Sequence, residues 1–124
     1  VRQNGRRLGS EGEDRAAAHL EERGYHILER NVRAGGVEID LVVRRGRLVV
    51  FVEVKARRGH GFGGALAAVD HRKRARLVAG AHAWLHAHRQ AFTRARFDVV
   101  ACQVDAEGAW QIQHVEGAFD ASRD

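Results

Sequence analysis

Two apolar runs with a glycine turn between them constrain this chain more than any other feature. In Val37-Glu38-Ile39-Asp40-Leu41-Val42-Val43 the odd positions are all apolar, while Glu38 and Asp40 fall on the opposite face. In Leu48-Val49-Val50-Phe51-Val52-Glu53-Val54-Lys55 the apolar run is nearly unbroken, and Glu53 and Lys55 share one face. Side chains of a strand alternate with period two, so both segments read as strands. Arg45-Gly46 lies between them where a hairpin turn is expected. Asp40, Glu53 and Lys55 therefore emerge from adjacent strands, in a stretch otherwise apolar enough to be buried. Burying such charges is costly unless they are paired or bind a cation. The cost marks a candidate site.

The lysine adds to this. Of 21 basic residues only Lys55 and Lys73 are lysine, and the other 19 are arginine. Lysine is a compact point charge whose pKa can be moved; guanidinium is planar and permanently protonated. The competing reading is a structural ion pair of Lys55 with Glu53 or Asp40.

Length and composition set the frame. A chain of 124 residues fits one domain and is long enough to bury roughly two-thirds of its unfolded surface. Hydrophobic content of 44% and charged content of 30% are ordinary for a globular protein. No apolar run approaches a membrane span, and no secretory signal pattern is present. Cys102 is the single cysteine and has no internal disulfide partner, so a cytoplasmic setting and no membrane partner are expected. The net charge of +5 favours a polyanionic partner.

The remaining elements follow from periodicity and punctuation. Residues 1–9 read as a mobile tail, and a first helix is expected from Ser10 to about Arg23, stopped by Gly24. Tyr25 to about Arg33 is the first strand, turning at Ala34-Gly35-Gly36. After Lys55, Ala56 to Gly64 reads as a glycine-rich basic loop. A second helix covers roughly Asp70 to His88, with Leu77, Ala81, Trp84 and Leu85 on one apolar face. Strands at Arg96 to Val104 and Ala109 to Val115 complete the chain, and residues 118–124 read as a second tail. The order is helix, three strands, helix, two strands. It predicts an α/β protein with a mixed central sheet flanked by helices, the third and fourth strands being parallel across the second helix.

The chemistry expected of Asp40 and Glu53 is a divalent metal site. Mg²⁺ prefers oxygen ligands, commonly one or two carboxylates with waters and substrate phosphate. The carbonyl of Val54 is a further candidate ligand, and Lys55 would orient water or offset charge on phosphoryl oxygens. Glu13 has two readings. Ser10-Glu11-Gly12-Glu13 fits a capping box, which the residues alone favour. Glu13 also lies on the stripe of Ala16, Ala17 and Leu20, from which a carboxylate could reach Asp40 and Glu53. Glu38 reads as a rim residue, and Asp98 as the partner of a nearby arginine. Arg57, Arg58 and His60, with Lys73, are expected to touch nucleic-acid phosphates, or else to be solvated. His82, His86 and His88 invite a zinc site, but no Cys or Glu completes a known spacing such as His-Glu-x-x-His, so they are expected to meet solvent.

The pattern as a whole resembles a known family. Gly12-Glu13 with Ala16, Ala17 and Leu20, then Gly24 to Asn31, Glu38-Ile39-Asp40-Leu41, Phe51-Val52-Glu53-Val54-Lys55, Phe62-Gly63 and Arg96 to Val100 resemble the YraN (UPF0102) family. The Asp40, Glu53 and Lys55 trio resembles the catalytic motif of the restriction-endonuclease-like superfamily. That resemblance implies an αβββαβ core and a Mg²⁺- or Mn²⁺-dependent endonuclease acting on DNA, branched or structured DNA included, with RNA left open as a further substrate. Asp40 and Glu53 would hold the metal and Lys55 would serve the attacking water. Glu13 matches the first-helix acid of Holliday-junction resolvases, which favours its site role, and a homodimer follows by analogy with junction-cutting enzymes. Val37 stands where the family has glycine, and Gly64-Ala65 where a proline follows Phe-Gly. The rival is a non-catalytic nucleic-acid-binding or scaffolding module on the same fold.

Overall fold

The computed structural model describes residues 2–59, 69–88 and 92–119, and for residues 2–6 the backbone alone. Helix α1 (Arg2–Glu22) precedes strands β1 (His26–Ala34), β2 (Val37–Arg45) and β3 (Leu48–Arg58). Helix α2 (His71–Ala87) leads to β4 (Arg94–Val104) and β5 (Trp110–Phe119). The five strands form one sheet in sequence order. Only β3 and β4 run parallel; the other neighbours are antiparallel. The expected α/β architecture with a mixed sheet is what the chain adopts.

Why the sheet is ordered this way can be read from its centre. Leu48 to Glu53 are buried without interruption, because α1 covers one face of the sheet and α2 the other. A strand buried on both faces has no reason to alternate. On one face Ala16, Ala17 and Leu20 of α1 pack on Leu41, Val43, Val50, Val52, Val100 and Cys102. On the other, Leu77, Ala81 and Trp84 of α2 pack on Val37, Ile39, Val42, Val49, Phe51, Phe97 and Val99.

The turns follow their residues. Gly35 and Gly36 both have positive φ, as a two-residue hairpin with the strands' own twist requires. Gly24 ends α1 with φ +89°: its N–H donates to the Glu21 carbonyl, and the Tyr25 N–H donates to the Leu20 carbonyl. This pair of hydrogen bonds around a left-handed glycine commonly closes a helix.

Three expectations need correction. Helix α1 begins at Arg2, so Ser10 lies within it and no capping box forms there. Ala56, Arg57 and Arg58 belong to β3, pairing with Cys102, Gln103 and Val104, because the parallel partner strand extends that far. The odd positions of β2 do not share one face: Val37 and Ile39 pack on the α2 side, Leu41 and Val43 on the α1 side. The strand turns over at Asp40. His60 and Phe62-Gly63 lie outside the described residues.

Gly12 shows how closely α1 sits on the sheet. A Cβ there would lie 2.6 Å from the Cβ of Ala56, and neither atom has a torsion by which to escape. Gly12→Ala is expected to destabilise the fold by about 1–3 kcal/mol despite alanine's better helix propensity. Urea denaturation checks this; an unchanged or raised midpoint would show that the helix can lift without cost.

Candidate functional site

The site begins at a fork in the backbone. Pairing of β2 with β3 ends at Leu41 and Val52, so the next residues, Asp40 and Glu53, stand where the two strands part. The unpaired amide of Val54 would be costly to leave unsatisfied. It donates instead to Oδ2 of Asp40 at 2.8 Å. A side chain thus replaces the missing backbone acceptor and is fixed in place by doing so. Asn31 of β1 has φ 52° close to this point, in the left-handed region that asparagine tolerates better than most residues.

Glu53 is buried, at 5% exposure, and a charge so placed needs partners. Two ammonium groups supply them, both on Oε2: Lys73 Nζ at 2.7 Å and Lys55 Nζ at 3.6 Å. Lys73 comes from the first turn of α2, where Asp70 caps the helix by accepting from the Lys73 N–H. Burial works to lower the Lys73 pKa. Its bond and attraction to Glu53, with Asp40 adding, overcome that and hold it above the ordinary lysine value.

Asp40 has the opposite bias. Burial first, then the nearby charge of Glu53, push its pKa up to about 7, with Glu13 contributing; the Val54 amide and Lys73 act against them. Glu13 is not a helix cap. Its Oε1 accepts from Nδ2 of Asn31 at 3.1 Å, which points it toward the β1 side of the fork.

The sequence candidates are thus distributed as follows. Asp40, Glu53, Lys55 and Lys73 converge at the fork, and Glu13 stands near enough to act on Asp40 through its charge. Val54 enters through its amide. Arg57 and Arg58 are exposed further along β3. Sequence reasoning missed that Lys73 reaches Glu53; the signal available was Asp70, a helix cap that places Lys73 in the first turn. Asp98 holds arginine as expected: Arg96 Nε and Nη2 each lie 2.8 Å from its oxygens. His88 stacks on Trp84 and His82 and His86 are exposed, so these histidines do not converge. Cys102 is core, its Sγ donating to the Gly12 carbonyl, and burial raises its thiol to about 11.

The donor set suits a hard cation. Among the described residues no group of three or more His, Cys, Asp or Glu is arranged to hold a metal. Asp40 and Glu53 would contribute two carboxylates, leaving the remaining positions to water and substrate phosphate, the arrangement Mg²⁺ commonly takes. Burial and the repulsion from Glu53 raise Asp40, and a divalent charge would offset both.

The raised Asp40 pKa has a measurable sign without metal. The folded pKa of Asp40 lies above its unfolded value of 3.8. Its contribution to stability is therefore fully present below about pH 4 and lost as pH rises through 7. Asp40→Asn keeps an acceptor for the Val54 amide and never ionises. In EDTA the variant is expected to be more stable than the parent at pH 8 by about 1–3 kcal/mol, and nearly equal to it near pH 4. Urea midpoints at the two pH values check this, and a variant less stable at pH 8 would contradict it.

Fold and site together define a class: a mixed-sheet α/β protein with two acidic and two lysine side chains gathered where two strands part. The pattern of the uncharacterised protein family UPF0102 matches residues 12–102. A UPF0102 protein of Geobacter sulfurreducens is 43% identical over 91% of this chain and 88% of its own length. One from Rhodococcus opacus is 44% identical over 90% and 95%, and one from Halorhodospira halophila 50% identical over 82% and 81%. The chain belongs to the UPF0102 family. No helix among the described residues is long and apolar enough to cross a membrane.

Proposed function

We propose that this chain is a Mg²⁺- or Mn²⁺-dependent endonuclease hydrolysing phosphodiester bonds of DNA. The observation that carries the reading is Asp40 fixed at the strand fork by the Val54 amide, beside buried Glu53. Asp40 and Glu53 would hold the metal, whose chemistry is to polarise the phosphoryl oxygen and lower the pKa of a bound water. Lys55, already within reach of Glu53, is placed to hold the attacking water or a phosphoryl oxygen. Asp40 must give up its proton to bind a cation, so metal binding, and activity with it, rises with pH. The basic net charge supports a nucleic-acid substrate.

The experiment is a cleavage panel of labelled single-stranded, duplex and branched DNA with Mg²⁺ or Mn²⁺, with EDTA as control. Product that requires the metal supports the reading; no product from any substrate would overturn it. One observation favours the second reading, a nucleic-acid-binding module without turnover: Lys73 already neutralises Glu53 at 2.7 Å. Such a module would bind DNA in a salt-sensitive way with no metal requirement.

A further inference from the structure

The carboxylates at the fork also line a cleft of about 290 Å³ whose other walls are Arg33, Val37, Glu38, Lys73, Arg76 and Leu77. Lys73, Arg76 and Leu77 occupy positions i, i+3 and i+4 of α2, so they share one helix face. Arg33 stands on β1 as the cross-strand partner of Glu38, and with it on the other side is Val37 of β2.

The cations of this cleft are not equivalent. Lys73 is tied to Glu53. Arg33 and Arg76 are exposed, and among the described residues neither guanidinium has a hydrogen bond or ion pair, even though Glu38 is the neighbour of Arg33. Guanidinium groups without a protein partner recognise phosphate well, because their planar fork matches two of its oxygens. The cleft has room for about ten waters. That is room for one nucleotide but not for a base pair, so a duplex could meet the cleft only from outside.

We propose that Arg33 and Arg76 form a subsite for the phosphate next to the scissile one, and that the strand entering the cleft is unpaired. The inference rests on the proposed role of Asp40 and Glu53 in holding the scissile phosphate. It adds a substrate class, single-stranded or locally unpaired nucleic acid, and two residues that position the strand. Arg33 stands at the sheet rim of the cleft and Arg76 on its helix wall, so the strand would pass between them.

The test is fluorescence anisotropy of a short labelled single-stranded oligonucleotide and of its duplex, in EDTA across a salt series, with each variant's fold checked by circular dichroism. Arg33→Ala and Arg76→Ala are each expected to weaken single-strand binding about tenfold and to reduce the salt slope by about 0.7. Arg33→Lys and Arg76→Lys should recover part of the loss. Arg72→Ala, which removes an exposed arginine of α2 outside the cleft, should bind as the parent does. Parent-like binding by both cleft variants would overturn the subsite, and so would an equal loss in Arg72→Ala. Duplex bound as tightly as single strand, with the same losses, would overturn the unpaired-strand assignment. Because no turnover is needed, a failed subsite leaves the carboxylate reading standing. A failed cleavage panel refutes that reading separately.

Discussion

Asp40→Asn and Glu53→Gln should each reduce metal-dependent DNA cleavage by at least about a thousandfold, a loss of about 4 kcal/mol in transition-state stabilisation, while leaving the fold intact. The isosteric replacements matter. Asparagine at 40 still offers an oxygen to the Val54 N–H, which lies 2.8 Å from the present carboxylate. Alanine there would leave that amide unsatisfied and cost about 1–3 kcal/mol, confusing a chemical loss with a structural one. Glutamine at 53 retains an acceptor for Lys73 and Lys55 but not the charge that a cation needs. Single-turnover cleavage, with circular dichroism of each variant alongside, checks the prediction. Activity within tenfold of the parent in both variants would remove the carboxylates from the mechanism.

The largest stability effect is expected on the far strand pair. Asp98 is fully buried and accepts from Arg96 Nε and Nη2 at 2.8 Å each, from His114 Nε2 at 2.7 Å and from the Gly117 N–H at 3.0 Å. Arg96 in turn donates to the Tyr25 hydroxyl at 2.6 Å, which ties β4 and β5 to the corner between α1 and β1. The register of β4 and β5 shifts between Phe97 and Val99, and the Asp98 carboxylate satisfies the amide that the irregularity frees. Asp98→Ala would strand a half-buried guanidinium, a buried imidazole and that amide together. Breaking a buried charge cluster from one side costs about 3–5 kcal/mol, a large part of the stability of a domain this size. Burial alone would raise the Asp98 pKa, but His114 and Arg96, with the Gly117 amide, hold it below the usual carboxylate value. Its contribution is present above about pH 4 and lost as pH falls through that depressed value. Urea denaturation at neutral pH measures the effect; a loss under about 1 kcal/mol would show that the cluster relaxes into water.

What the sequence made legible follows from how local each feature is. Asp40, Glu53 and Lys55 stood out because period-two alternation and an apolar setting isolate charges within a strand. The parallel pairing of β3 and β4 followed from a helix lying between them. The start of α1 did not, because Ser10 caps a helix only if the chain before it is not helical, and that depends on Arg2 to Gly9. The length of β3 was also hidden: Arg57 and Arg58 are strand residues because β4 offers backbone partners alongside, whatever their polarity. The turnover of β2 at Asp40 breaks a periodicity that the sequence displays without interruption. The bonds from Lys73 to Glu53 and from Arg96 to Tyr25 join residues far apart in the chain, so only the assembled fold reveals them.

Mg²⁺ titration calorimetry decides whether Asp40 and Glu53 form a carboxylate metal site of the kind proposed for phosphodiester hydrolysis. The parent chain is compared with Asp40→Asn/Glu53→Gln, each with and without a DNA oligonucleotide to supply phosphate. Binding by the parent is expected, strengthened by DNA, weakened as pH falls below 7 and Asp40 takes up its proton, and abolished in the double variant. Equal binding by parent and double variant, or none by the parent even with DNA present, would contradict it.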